Sequence, residues 1–184
     1  MQMKMINFRR DAKIALVFLS VLISLIFFVS VIAKASSPHI TQSKQEPTDN
    51  TATIEQIENQ AFVFVNEYRK SLGLPILMRN NAADQQARIH SKDMAAHKVA
   101  FGHDGATKRL KTIGKTLNNM EGGGENVFEC SEGFPNLAKE AFTGWLHSEG
   151  HRKNMIGDYS LAGMGVAKAS NGDYYFTQIF IKGN

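Results

Sequence analysis

Cysteine is nearly absent from this chain, since Cys130 is the only one among 184 residues. A single cysteine excludes a disulfide within the chain, so packing alone must hold the fold together. No neighbouring pattern marks Cys130 as a nucleophile with a lowered pKa. The sequence also has no HExxH zinc motif, no G-x-S-x-G nucleophile elbow and no internal repeat, so no local motif by itself indicates hydrolysis.

An excess of one charge sign is also missing from most of the chain. The formal net charge is +4, but residues 1–35 carry five of the 21 Lys and Arg residues and one of the 17 Asp and Glu residues. The remaining residues therefore hold 16 charges of each sign. Because binding to nucleic acid depends on clustered positive charge, we expect no nucleic-acid partner.

One long hydrophobic run is present at the N-terminus. Basic residues precede the uncharged segment 14–33, and Ala33-Lys34-Ala35 has the small-x-small form that signal peptidases recognise. The run is also long enough to span a bilayer, so residues 1–35 predict either a cleaved signal peptide or a signal anchor that holds the protein in the membrane. Residues 36–53 lack apolar periodicity and predict a flexible linker outside the cytoplasm.

Residues 54–184 predict one α+β domain. Thr53 and Gln56 form a capping-box pattern at the start of a first helix, which Gly73 and Pro75 end. Helical spacing predicts a second helix over about residues 82–99 and a third after Pro135, separated by a glycine-rich loop. Two β-favouring runs at 161–169 and 174–181 predict an antiparallel hairpin, and Asn-Gly at 171–172 suits a type I′ turn.

Four segments carry the residues suited to chemistry. They are FGHDG at 101–105, GENV at 124–127, GWLHSEGHRKNM at 144–155 and YFTQIF at 175–180. Together with NEYR at 66–69 and HSKDM at 90–94, they stand in the order found in the CAP superfamily of cysteine-rich secretory, antigen 5 and pathogenesis-related proteins. Over about residues 54–183 the chain resembles this family, and in particular its bacterial members, which lack the cysteines.

The resemblance implies a three-layer α-β-α sandwich with a mainly antiparallel sheet. It also implies a cleft where two histidines and two glutamates meet, in some members around zinc or another divalent ion. His103, Glu125 and His151 match three of these positions. The second glutamate position holds Ser148, and neighbouring Glu149 is the alternative ligand, although one helical residue turns a side chain by about 100°. Supporting roles are assigned to Asn126, Trp145, Ser148 and His90.

Other interpretations of these residues stay open. His103 also fits a loop histidine that binds backbone, Glu125 fits a cap of the next segment, and His151 fits a cation at a helix C-terminus. His147 and His151 have the i, i+4 spacing of a helical metal pair, although Gly150 between them suggests that the helix has ended. Two imidazoles, a carboxylate and an open water position describe a catalytic zinc site better than a structural one.

Three functions follow as predictions. The leading one is an exported or membrane-tethered CAP domain whose His/Glu cleft binds a divalent ion and an unidentified extracellular ligand, which is a lipid, a peptide or a cell-wall polymer. The second is a zinc-dependent extracellular hydrolase or protease with Glu125 or His151 as general base. The third is a lipid- or sterol-binding module. Fold resemblance alone does not establish activity, so whether the protein is an enzyme stays open.

Overall fold

The computed structural model describes residues 52–183. The predicted signal segment at 1–35, with its apolar run at 14–33, and residues 36–51 of the predicted linker lie outside the described residues. Within residues 52–183, every helix falls short of the length and apolar character that a membrane crossing requires.

Five helices and four strands make up the described part of the chain. The helices are α1 (Ile54–Ser71), α2 (Asn81–Ala95), α3 (Ala106–Gly114), α4 (Leu137–His147) and α5 (Glu149–Met155). The strands are β1 (Met78–Arg79), β2 (Met120–Cys130), β3 (Leu161–Lys168) and β4 (Tyr174–Gly183). They form one sheet in the order β1-β3-β4-β2, in which β1 lies parallel to β3 and the other pairs are antiparallel. The predicted α+β class with a mainly antiparallel sheet is confirmed.

The central strand β4 separates two hydrophobic layers. Phe176 and Phe180 pack in the cluster that contains the apolar faces of α1, α4 and α5. Ile179 and Ile181 pack with α2 and α3 on the opposite face. Successive residues of a strand point to opposite faces, so a strand covered on both sides carries apolar residues at nearly every position. The helices on both faces give the three-layer sandwich that the resemblance implies.

The beginning and end of α1 follow from local sequence. The Thr53 side chain accepts a hydrogen bond from the Gln56 backbone N–H at 3.2 Å, and the Gln56 side chain accepts one from the Thr53 N–H at 2.8 Å. The predicted capping box is therefore confirmed. The helix ends at Ser71, and Gly73 follows with a φ of +72°, a conformation that glycine adopts without steric cost.

The predicted glycine-rich loop between the second and third helices is wrong. Residues 120–130 form β2, whose register places Glu125 opposite Ile179 of β4. Glycine weakens an isolated strand, but pairing along the buried central strand supplies the order that the local sequence lacks. Helix α3 was not predicted, because only Ile113 of its nine residues is buried and its apolar stripe is short.

Two predicted helices also differ from the prediction in their boundaries. The second helix ends at Ala95 rather than near residue 99, and His97 beyond it has a φ of +51°. The third helix is interrupted at Ser148, whose extended backbone separates α4 from α5, so Gly150 lies inside a helix rather than after one.

The hairpin of β3 and β4 is confirmed, but its predicted type I′ turn is wrong. That turn requires a positive φ at both central residues. Among the described residues, His97 is the only non-glycine with positive φ, so Asn171 does not meet this requirement. Instead the Ala169 carbonyl accepts a hydrogen bond from the Gly172 N–H at 3.1 Å, and Gly172 has a φ of +94°.

Candidate functional site

The candidate site lies along β2, which is an edge strand of the sheet. Adjacent residues of a strand point to opposite faces, so Glu125 faces the layer of α2 and α3, and Asn126 faces the layer of α4 and α5. The two residues therefore reach different helices from one short stretch of backbone. This placement lets groups from both layers meet at the sheet edge.

Glu125 is the charged centre of the site, and its side chain is only 4% exposed. Arg109 of α3 holds it with two hydrogen bonds, from Nε to Oε2 and from Nη2 to Oε1, both 2.8 Å long. The His103 Nδ1 lies 3.0 Å from Oε1 and donates a third. Paired, bidentate contacts of this kind are the strongest type of protein hydrogen bond and compensate the buried charge.

Arg109 was not among the residues that the sequence predicted for this site. No quoted motif contains it, and it belongs to the helix that was not predicted. Its Nη1 also donates to the Asp104 carbonyl at 2.8 Å, so one guanidinium joins α3, β2 and the loop that carries His103. The only feature of the sequence that could have pointed to Arg109 is its position four residues after Gly105, the glycine that precedes α3.

His103 and His151 approach each other across the cleft. Their ring centroids are 6.0 Å apart with an interplanar angle of 59°. Because His103 donates through Nδ1 to Glu125, its Nε2 carries a lone pair when the ring is neutral. The His103 side chain is 49% exposed, so a ligand in solvent can reach the ring. The structure thus brings together three residues that the resemblance selected, namely His103, Glu125 and His151.

Two asparagines attach α5 to the edge strand. The Asn126 Nδ2 donates to the His151 carbonyl at 3.0 Å, and the Asn154 Nδ2 donates to the Asn126 Oδ1 at 2.9 Å and to the Glu125 carbonyl at 3.1 Å. Asn126 is fully buried. Its side chain therefore fixes the backbone of His151, which is the supporting role that this residue plays. Asn154 belongs to the quoted 144–155 motif but was not selected.

Trp145 and His90 hold the surroundings of the cleft in place. Trp145 is fully buried, and its Nε1 donates to the Val127 carbonyl of β2 at 3.1 Å. His90 is 3% exposed, and its Nε2 lies 2.8 Å from the Gly102 carbonyl, to which it must donate. His90 thereby anchors the loop that presents His103.

Other predicted site residues are not brought into the cleft. The Glu149 side chain is 74% exposed and pairs with Lys153 at 2.7 Å. Ser148 caps α5 without a side-chain hydrogen bond. His147 is exposed near the end of α4, and the break at Ser148 separates its helix from that of His151. The i, i+4 geometry of a helical metal pair therefore does not form.

As arranged, these residues do not fit a resident divalent ion. Within residues 52–183, no three His, Cys, Asp or Glu side chains are grouped as metal ligands. Both carboxylate oxygens of Glu125 already accept hydrogen bonds from a cationic guanidinium. Catalytic zinc sites use three protein ligands, whereas this cleft leaves only the two imidazoles uncommitted. The predicted ligand set stays a prediction, which the arrangement of Glu125 does not favour.

Burial affects the protonation of two histidines here. Burial lowers the pKa of His90 from its ordinary value of 6.5, the hydrogen bond to Gly102 opposes this shift, and the nearby charge of Arg109 adds to it. The pKa of His151 is also lowered, chiefly by burial and then by the charge of His103. Both rings are therefore expected to be neutral at neutral pH.

We expect the protein to lose stability as the pH falls below the ordinary histidine pKa of 6.5, because the unfolded chain binds these two protons first. The two neutral histidines contribute their full share of stability above the histidine pKa of the unfolded chain. This share is lost as the pH falls through the lowered histidine pKa values of the folded protein. Urea unfolding followed by Trp145 fluorescence measures this slope. His90→Gln should flatten it, whereas His97→Gln, which removes an exposed histidine, should not. Equal slopes in all three proteins would contradict this assignment.

The fold and the site together define a class, an α-β-α sandwich domain in which His103, Glu125 and His151 lie near one another at the edge of the sheet. The model of the CAP family, described as the cysteine-rich secretory protein family, matches residues 63–180. This match covers more than half of the chain, and the protein belongs to the CAP family.

Two curated relatives come from Bacillus subtilis (strain 168). The chain is 26% identical to the uncharacterized protein YkwD over 152 residues, which are 80% of this chain and 55% of that one. It is 32% identical to the uncharacterized membrane protein YlbC over 131 residues, which are 68% of this chain and 34% of that one. The chain thus spans about half and about a third of the length of these two relatives.

Solved structures with similar folds include two bacterial proteins. An extracellular protein containing an SCP domain from Bacillus anthracis str. Ames is 29% identical, with a TM-score of 0.55 over 80% of this chain and 45% of that chain. An outer surface protein from Borrelia burgdorferi has a TM-score of 0.61 over 72% of this chain and 97% of that chain. Its identity is 17%, so this second likeness concerns the fold alone.

Proposed function

We propose that this protein acts outside the cytoplasm, where its CAP domain binds a polar ligand in the cleft between His103 and His151. The location is supported by the signal-type segment at residues 1–35 and by the similar Bacillus anthracis protein, which is described as extracellular. In this proposal the segment exports the domain, either as a cleaved signal peptide or as an anchor that stays in the membrane.

The observation that carries the binding proposal is the pair of imidazoles 6.0 Å apart at an accessible sheet edge. The Nε2 of neutral His103 accepts a hydrogen bond, and neutral His151 offers one donor and one acceptor. These groups suit hydroxyl or amide groups, as found in glycans and peptides. Polar groups at this position do not favour the lipid- or sterol-binding alternative.

Ligand-observed NMR with cell-wall glycan fragments and short peptides tests the binding proposal. The double variant His103→Ala, His151→Ala should bind at least about tenfold more weakly, because each lost hydrogen bond contributes on the order of 1 kcal/mol. His147→Ala is the matched control, since it removes an exposed histidine outside the cleft. A fragment that binds the double variant as tightly as the wild type is not bound by this cleft.

A second candidate function is hydrolysis with His103 as general base. The hydrogen bond from His103 to Glu125 favours it, because a carboxylate that orients an imidazole prepares the opposite ring nitrogen to take a proton from water. Glu125 itself is a poorer base than the sequence suggested, since both of its oxygens are engaged. Turnover of peptide or ester substrates should fall about a hundredfold in His103→Gln, within the usual range for general-base catalysis. Unchanged turnover would remove His103 from this role.

A further inference from the structure

We propose that Arg109 takes the place of a divalent ion in this cleft, so that a side chain supplies the positive charge and the cleft works without a metal. The inference concerns the cleft of the proposed function and deepens it, since it states that the ligand is recognised without an ion. It does not depend on which ligand binds.

The first step is the charge of Glu125. A carboxylate that is 4% exposed requires a compensating positive charge, because removing it from water is costly. Arg109 meets this requirement with two nitrogens placed 2.8 Å from the two carboxylate oxygens. The Arg109 side chain is itself only 11% exposed, which limits screening of the pair by water.

The second step is how firmly Arg109 is held. Its remaining nitrogen, Nη1, donates to the Asp104 carbonyl at 2.8 Å, so all three guanidinium nitrogens are engaged. An entering ion would have to break the two contacts to Glu125. It would then lie beside a partly buried guanidinium, and like charges at short range repel strongly.

The third step concerns the histidines. Because Arg109 occupies most of the hydrogen-bonding capacity of Glu125, this carboxylate serves to orient His103 rather than to bind a metal. The lone pair on the His103 Nε2 is then directed away from Glu125 and stays available to a ligand. Arg109 is accordingly a positioning residue that determines which kind of ligand the cleft accepts, namely hydrogen-bonding groups rather than cations.

Cobalt(II) titration of the full-length protein tests this inference, because the ion reports its ligands through visible absorption. We expect no cobalt spectrum from the wild type. Arg109→Met should bind cobalt at least about tenfold more tightly than the wild type, since it frees Glu125 to join the two imidazoles. Adding His103→Ala to that variant should abolish the new spectrum. Arg152→Met removes an exposed arginine and should behave as the wild type does.

Two results would overturn the inference. One is wild-type cobalt binding that disappears in the variant His103→Ala, His151→Ala. The other is a folded Arg109→Met protein, judged by circular dichroism, that gains no affinity for cobalt. If Arg109→Met does not fold, Arg109→Gln replaces it, because its amide still offers Glu125 a hydrogen bond. Ligand binding that persists in a chelator supports the inference, whereas the absence of any ligand would affect only the proposed function.

Discussion

Replacing Gly165 with alanine is expected to destabilise the protein by roughly 3 kcal/mol or more, or to prevent folding. Gly165 lies on β3, and an added Cβ would stand 2.2 Å from the Arg88 backbone nitrogen and 2.3 Å from the Ala87 carbonyl carbon of α2. Both atoms are backbone, so no change of side-chain rotamer relieves the overlap. Helix α2 would have to move away from the sheet.

Movement of α2 would also disturb the cleft. Ser91 of this helix donates either to the Gly165 carbonyl at 3.0 Å or to the Thr177 hydroxyl at 2.9 Å, and His90 beside it anchors the loop of His103. Urea unfolding followed by fluorescence of Trp145, the only tryptophan, measures the loss. Gly150→Ala is the matched control, because a Cβ there meets nothing within 4 Å and alanine favours the helix. A Gly165→Ala protein as stable as the wild type would contradict the close contact of α2 with β3.

Replacing Arg69 with methionine is expected to cost about 3–5 kcal/mol, because several buried carbonyls lose their donor and each such loss costs on the order of 1–3 kcal/mol. Arg69 lies in the last turn of α1 and is only 2% exposed. Its guanidinium donates hydrogen bonds to four backbone carbonyls. The acceptors are those of Pro75 at 2.9 Å, Met155 at 2.9 Å, Gly157 at 2.9 Å and Tyr159 at 3.2 Å. Methionine fills similar space but leaves these carbonyls without a donor.

The loss at Arg69 should extend to the cleft. Met155 ends α5, the helix that carries His151, so a loosened carbonyl network would weaken ligand binding as well as stability. Arg69→Lys should fall between methionine and the wild type, because an ammonium has only three donors and lacks the planar fork. Thermal unfolding and ligand affinity measured on the same samples check both effects. Arg152→Met, at an exposed position, should change stability by less than about 0.5 kcal/mol, and an equal loss there would show that Arg69 has no special role.

The features that could be predicted from sequence depend on neighbours in the chain. The capping box of α1 involves only residues 53 and 56, and the apolar stripe of α4 and the two runs of the hairpin are local patterns. These elements formed where expected because their hydrogen bonds and apolar faces are decided within a few residues. The order of the motifs likewise selected His103, Glu125 and His151, which the fold brings together.

The features that could not be predicted depend on contacts between distant segments. Residues 120–130 form a strand only because β4 pairs with them, and Arg109 becomes part of the site only because α3 packs beside Glu125. The extended backbone at Ser148 separates α4 from α5 and directs Glu149 toward Lys153 at the surface. The type of a residue and its spacing in the sequence do not predict which charged residue from a distant segment will lie beside it.

By itself, the sequence determined the family, the mainly antiparallel α+β architecture and the three residues that converge at the sheet edge. Tertiary structure alone decided that the Arg109 guanidinium joins His103 as a hydrogen-bond partner of Glu125 and supplies the charge that compensates its carboxylate. The physical reason is that a buried carboxylate takes its compensating charge from whatever the completed fold places within hydrogen-bonding distance, and that distance exists only after the layers have packed.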